Sequence, residues 1–208
     1  MKDIIFHISK DHFDSLKITT KAIRSKIDII NCILKISEIL LIKNHLPPSN
    51  NKNDIVVRIV VKKMSRVFLK YEKSIVSFYW PFIVSEDLNH IISIKNSFCE
   101  KIDAKTIKFV EFIINSVEFQ DPTHTTSAHE KFEEAYLDFD FDFSIEPIHL
   151  WNMINYLLKI DHGYFRYDND PSNTNGRKHP LDHIDFFYTN PCTFKIGLKK
   201  SFEIAHIS

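Results

Sequence analysis

Glycine is nearly absent from this chain, and where it occurs constrains what the chain can fold into. The three glycines among 208 residues stand at positions 163, 176 and 197, and three of the eight prolines, Pro171, Pro180 and Pro191, fall in the same stretch. Sharp reversals are therefore concentrated between residues 163 and 198. Among these breakers run three segments in which polar and apolar residues alternate: YFRYD, LDHIDFFYT and CTFKIGL. Period-two alternation bounded by turn formers predicts half-buried antiparallel strands. The Asp-Pro, Ser-Asn and Asn-Gly steps make 169–180 the connecting loop, with His179 held extended by Pro180.

Setting Asp168 opposite Leu181 places Arg166 against His183 and Tyr164 against Asp185, since directly paired residues point to one side. One face is then polar, with Tyr164, Arg166, Asp168, His183 and Asp185. The other carries Phe165, Tyr167, Ile184 and Phe186, extended by Phe194, Ile196 and Leu198 beside Tyr188. A slip of one residue would put the aromatics in water, so the alternation argues for the pairing.

The rest of the chain supplies the partners for this sheet. Apolar residues at 16, 23, 27, 30, 34 and 41, with a second stripe at 29, 33, 36 and 40, predict a long N-terminal helix over 13–44. The stretch 44–53, with Pro47-Pro48 and four asparagines, reads as a loop. IVVRIVV, VFLKY and SIVSFYW read as strands with Glu72-Lys73 as a hairpin tip, and Asp103 caps a helix expected over 104–118. Residues 120–129 read as loop, and LDFDFDF (137–143) as a strand with Phe139, Phe141 and Phe143 inward. Pro147 opens a helix to about Ile160 whose buried side is Trp151, Ile154, Leu157 and Leu158. The expected fold is α+β: antiparallel sheets with packed helices, ending in a β-α-β-β-β unit. A chain of this length can bury about 70% of its unfolded surface in one core. A single domain over 1–208 is expected, with 11–46 as a helical arm on a body of 54–208.

The three cysteines, Cys32, Cys99 and Cys192, are odd in number and form no C-x-x-C pair. That spacing fits a reducing cytoplasm better than a disulfide or zinc framework. The most apolar segment, 27–42, is interrupted by Asp28, Lys35 and Glu38, and no membrane partner is expected. Net charge is zero, yet residues 1–110 hold 19 Lys and Arg against 11 Asp and Glu, and the remainder 8 against 16. In the basic half, Arg58, Lys62, Lys63, Arg66 and Lys70 are interleaved with Phe68 and Tyr71, which suits nucleic acid and equally suits a solvated sheet face.

The set Arg166, Asp168, His179, His183 and Asp185 contains what phosphate chemistry needs. Histidine moves a proton near neutral pH, a carboxylate orients its ring, and arginine holds a phosphate bidentately. The plainer reading is that Arg166 pairs with a carboxylate and His183 satisfies one hydrogen bond, bracing the sheet. No resident cofactor is expected. A divalent metal on His179 and His183 with Asp182 or Asp185 is a second option, but positions four apart on a straight strand lie about 13 Å from each other. In the row Asp138, Asp140 and Asp142, an Asp-x-Asp pair such as Asp138 and Asp140 could hold magnesium, but carboxylates alternating with phenylalanines are usually a solvated face. Phosphate-binding glycine loops, G-x-S-x-G and H-E-x-x-H are all missing from the sequence.

RYDNDP followed by HPLDH, that is Arg166, Asp168, Asp170, Pro171, His179, Pro180 and His183, resembles the late segment of a bacterial family of uncharacterised proteins. That family is domain-of-unknown-function family twenty-two ninety. The likeness covers the last third of the chain and, loosely, the middle third. The family continues after its last strand into a Phe-containing helix, which the sequence up to Ser208 does not show, so incomplete terminal packing is expected. The resemblance implies a bacterial cytoplasmic protein with an α+β fold, of a kind often encoded near phage-defence genes. The leading expectation is a phage-defence or toxin-like protein, a nuclease acting on nucleic acid through the His/Arg/Asp face. The alternative is a non-catalytic interaction module of a larger defence complex. Expected partners are nucleic acid, a larger protein encoded nearby, or a second copy docking through the N-terminal helix.

Overall fold

The computed structural model describes residues 3–9, 14, 23, 25–42, 55–60, 65–88, 91–120, 125–141, 145–189 and 192–202. These residues form five helices and nine strands, an α+β fold of antiparallel sheets and helices. They pack as two compact units, Met1–Ile29 with Pro47–Trp80 and Asp161–Ser208, and Ile30–Leu46 with Pro81–Ile160. Among the described residues no helix is long and apolar enough to cross a membrane.

The first unit is a seven-stranded sheet. Its strands are β1 (Ile4–Ile8), β2 (Ile55–Val60), β3 (Arg66–Tyr71), β4 (Ser74–Tyr79), β7 (Phe165–Asn169), β8 (Asp182–Thr189) and β9 (Cys192–Gly197). They lie in the order β1-β2-β3-β4-β7-β8-β9, every neighbouring pair antiparallel. The two β groups of the sequence thus join through the β4–β7 pair. Glu72-Lys73 is the tip of the β3–β4 hairpin, with Tyr71 opposite Ser74 and Glu72 at φ 49°. One face of β1–β4 is continuous core: Phe6, Ile8, Val57, Ile59, Val67, Leu69, Val76 and Phe78 are all buried. On the opposite face Val60, Phe68, Ile75 and Tyr167 form a second cluster, against which Phe165, Ile184, Leu198 and Phe202 pack.

Helix α1 (Lys26–Leu41) is shorter than the span expected from periodicity. Ile23 and Ser25 before it are not helical, and the Ser25 hydroxyl accepts the Ile27 N–H at 3.1 Å, a start signal at the N-terminus. Much of the remaining 13–44 span lies outside the described residues. Among the described residues of the two apolar stripes, Ile23, Ile29, Ile30, Ile33, Leu34, Ile36 and Leu40 are buried, and Ile27 and Leu41 are half-buried.

The second unit holds most of α1, a two-stranded sheet of β5 (Ile83–Glu86) and β6 (Ile92–Lys95), and four further helices. These are α2 (Ala104–Ile114), α3 (Val117–Gln120), α4 (Thr125–Asp138) and α5 (Pro147–Lys159). Asp103 caps α2 as expected, its carboxylate accepting the Thr106 N–H at 2.9 Å. The helix stops earlier than 118, because Asn115 closes it and α3 starts separately. α5 begins at Pro147, but its buried residues are Leu150, Met153, Ile154 and Leu157, with Trp151 and Leu158 only half-buried.

The expected loop over 125–129 and the start of the expected strand at 137–138 are corrected by α4, which runs from Thr125 through Asp138, while 121–124 lie outside the described residues. Ala128, Phe132 and Ala135 form its buried stripe at helical spacing. The chain then turns at Asp140, whose φ is 49°, so Phe139 and Phe141 swing to the same side. Both meet Phe109 edge-on, at 5.3 and 5.2 Å between centroids, with Phe132 at 5.4 Å completing the cluster. The inward placement of Phe139 and Phe141 therefore holds without a strand; Phe143 and Asp142 lie outside the described residues.

Candidate functional site

The sheet register builds the site in two rows. Ser74, Asp168, His183 and Gly197 face one another across β4, β7, β8 and β9. Two residues along, Val76, Arg166, Asp185 and Lys195 form the next row. The expected pairing of Asp168 with Leu181, Arg166 with His183 and Tyr164 with Asp185 is off by two residues. A shift of two leaves every side chain on its face, so alternation alone cannot detect it. Asp182 holds the observed register: its carboxylate accepts from Tyr167 Oη at 2.5 Å and from Asn169 Nδ2 at 2.9 Å. Asp182 therefore faces the side opposite His183, which removes it from the metal set considered with the two histidines.

Within the first row, Asp168 is held from two directions. Ser74 Oγ donates to it at 2.6 Å and Arg166 Nε at 2.9 Å. Burial opposes the charge on Arg166, but Tyr71 and Asp168 beside it outweigh that effect and raise its pKa. Tyr164, just before β7, is buried, and burial raises its pKa.

His183 is 1% exposed, and both of its ring nitrogens are engaged. Nδ1 lies 2.9 Å from the carbonyl oxygen of Pro180. A carbonyl only accepts, so Nδ1 carries the proton. Nε2 lies 3.1 Å from Lys195 Nζ, which also donates to Asp185 Oδ2 at 3.0 Å. The Nε2 lone pair thus points at an ammonium shared with a carboxylate that is itself 7% exposed. The other oxygen of that carboxylate, Oδ1, is buried with no hydrogen-bond partner.

His179 reaches the same place by a bend that a straight strand would not make. Asn175 and His179 pair across Gly176, which sits at φ 50°, and the chain then turns at Pro180 into β8. The rings of His179 and His183 meet edge-on with centroids 4.7 Å apart, in place of the separation expected along a strand. Gly197 makes room for this bend, because a Cβ there would lie 2.8 Å from Pro180 Cγ.

The basic residues expected to hold nucleic acid lie elsewhere. Arg58, Arg66 and Lys70 share the sheet face of Phe68, opposite the face of Arg166 and His183. Arg58 gives Nε and Nη2 to Asp3, at 3.1 and 2.6 Å. Arg66 donates to Ser77 Oγ at 3.0 Å and to the Gly163 carbonyl at 2.6 Å, and lies over the Phe165 ring. Lys70 is exposed, and Lys62 and Lys63 lie outside the described residues.

Of the five expected catalytic positions, Arg166, Asp168, His183 and Asp185 fall on one face in adjoining rows, and His179 joins them through its ring. Lys195 is the member that sequence reading missed. Its signal was present in the polar positions of CTFKIG, which alternate with the apolar Phe194 and Ile196.

Asp168, His183 and Asp185 each offer a ligand atom, and these atoms lie within 4.8 Å of one another. One imidazole lone pair and two carboxylates can orient a proton transfer, hold a cation, or both. No protein-family model, curated protein or solved structure matches the chain.

Proposed function

We propose that the chain acts on the phosphodiester backbone of a nucleic acid at the polar face of β7, β8 and β9. The observation that carries this reading is the fixed tautomer of His183, whose proton-free Nε2 sits between Lys195 and Asp185. In the proposed hydrolysis Nε2 accepts a proton from the attacking water as its oxygen forms the new phosphorus–oxygen bond. The old one breaks as His179 returns a proton to the leaving oxygen. Lys195 and Arg166 offset the phosphate charge. The loop that carries His179 also carries exposed Arg177 and Lys178, which supply the cationic approach. The basic residues of β2 and β3 have no part in this step, since they occupy the other face. Assignment to a bacterial defence or toxin type rests on the resemblance of the segment from Arg166 to His183.

The test is incubation of the purified protein with single- and double-stranded DNA and RNA, with and without divalent metal. Cleavage that disappears in a folded His183→Asn variant supports the reading, and no cleavage of any substrate sinks it.

A second reading, a non-catalytic interaction module, is favoured by a different observation. Phe194 and Ile196 are 52% and 45% exposed on the outermost strand, β9. Apolar side chains on an open sheet edge are a common basis for strand or partner docking. Ile196→Asp should then abolish association with a partner encoded nearby while leaving any cleavage intact.

A further inference from the structure

We propose that Asp168, His183 and Asp185 bind one zinc-class divalent ion, which takes the place otherwise filled by the Lys195 ammonium. The inference stands on the geometry of the cluster and describes a separate state from the proton transfer above, since an Nε2 bound to an ion does not also accept a proton.

The donor set comes first. Asp168 and His183 are directly opposed on β7 and β8, and Asp185 follows His183 by two residues on the same face. Their ligand atoms lie within 4.8 Å of one another. Ions bound at about 2.0–2.2 Å place ligand atoms roughly 3 to 4 Å apart, so small rotamer adjustments close the site. The set is mixed, one imidazole and two carboxylates, and leaves a coordination position open.

Orientation is the second element. Metal-binding histidines commonly hold their second nitrogen proton on a carbonyl or carboxylate, which fixes the ring and aims the lone pair. His183 has this arrangement in full: Nδ1 is anchored on the Pro180 carbonyl, and Nε2 faces the cluster.

Two further observations point to a cation at this spot. Asp185 is 7% exposed, yet its Oδ1 is buried with no hydrogen-bond partner. Such an oxygen carries a desolvation cost that a bound cation would offset. A cation already stands there in another form, because Lys195 Nζ lies 3.1 Å from His183 Nε2 and 3.0 Å from Asp185 Oδ2. An ammonium that bridges an imidazole lone pair and a carboxylate marks where a metal would sit at shorter distance. Lys195 can leave, since its side chain is 37% exposed on a flexible stem and comes from the outermost strand. Arg166 Nε lies 2.9 and 2.7 Å from the two oxygens of Asp168, so that carboxylate would bind the ion while keeping Arg166 as an outer hydrogen-bond partner, as ligating carboxylates commonly do.

The experiment is calorimetric titration of Zn²⁺ into the metal-free full chain, alongside the Co²⁺ absorption spectrum of the same protein. One high-affinity site and a Co²⁺ spectrum with nitrogen and oxygen ligation are expected. Lys195→Met removes the competing charge and should tighten binding by about tenfold or more. His183→Asn keeps a donor for the Pro180 carbonyl but loses Nε2, and should abolish the site. If that variant does not fold, Lys195→Met decides alone: unchanged affinity overturns the proposal. It is equally overturned by binding that persists in folded His183→Asn, by a thiolate band in the Co²⁺ spectrum, or by no saturable binding in either wild type or Lys195→Met.

Discussion

The imidazole of His183 gives its Nδ1 proton to the carbonyl oxygen of Pro180, three residues earlier in the chain. One bond thus ties the last residues of the loop to the ring at the centre of the site and decides which nitrogen is free. Substitutions that keep one side of the ring and drop the other separate the two roles. His183→Asn retains the donor near Nδ1 and should fold with a cost below that of His183→Ala, which should be about 1–3 kcal/mol. Urea melts of the three proteins, beside any activity, make the comparison. Equal stability of the Asn and Ala variants would show that the Pro180 bond contributes nothing.

Gly197 is required for space and not for backbone conformation. A Cβ there would press on the Pro180 ring at 2.8 and 3.1 Å, and the ring cannot swing aside as a long side chain does. Gly197→Ala should cost about 1–3 kcal/mol. Pro180→Ala in the same chain should recover most of it, and a double-mutant cycle from denaturant melts measures the coupling.

Arg66 and Lys70 differ in what they hold. Arg66→Ala removes the bonds to Ser77 and Gly163 and the contact with Phe165, and should lower stability by about 1–3 kcal/mol. Lys70→Ala, at an exposed position, should stay within about 0.5 kcal/mol of the parent. Should nucleic acid bind to this face after all, Lys70→Ala would reduce the salt dependence of binding by about one unit of log slope.

Tyr167 makes the alkaline limb of stability predictable. Burial and the hydrogen bond to Asp182 push its phenol up to about 12, above the ordinary value. A proton held more tightly in the folded chain stabilises it fully below pH about 10, and that contribution is lost as pH rises towards the folded value. Melting temperature should therefore fall between pH 10 and about 12, and the fall should be shallower in Tyr167→Phe. An identical slope in both proteins would assign the alkaline limb to the other raised phenols, Tyr71, Tyr136 and Tyr164.

The parts of the fold legible in the sequence were those where one periodicity had no competitor. β2, β3, β4 and the Glu72-Lys73 turn were of this kind, as were the cap at Asp103 and the start at Pro147. At LDFDFDF two signals overlapped, since Leu137 and Asp138 belong to α4 while Phe139 and Phe141 flank the turn at Asp140. The turn at Asp140 puts Phe139 and Phe141 on one side, as a strand would, so these two phenylalanines read correctly and the element did not.

In the site, alternation sorted the residues between the two faces but could not set the register, because pairing slipped by two looks the same. The approach of His179 to His183 depends on Gly197, which is close to Pro180 in space but not in sequence. Such a long-range contact leaves no local pattern. Alternation in CTFKIG put Lys195 on the polar face, but its pairing with Asp185 and His183 runs to another strand and was not legible.

Among the described residues β9, which carries Lys195, is bonded to the sheet along one side only, whereas Asp168, His183 and Asp185 belong to strands bonded on both sides. Lys195 and the carboxylate it pairs with, Asp185, therefore have different lifetimes in place, whereas Arg166 and Asp168 share one strand. Local opening of a rim strand takes less free energy than opening the strands inside it, so amide protons near Lys195 should exchange with solvent sooner than those near Asp168. During each such opening the carboxylates and the imidazole keep their places while their own counter-ion is away. The interval in which the site is open to a foreign cation or a phosphate is thus set by the edge of the sheet.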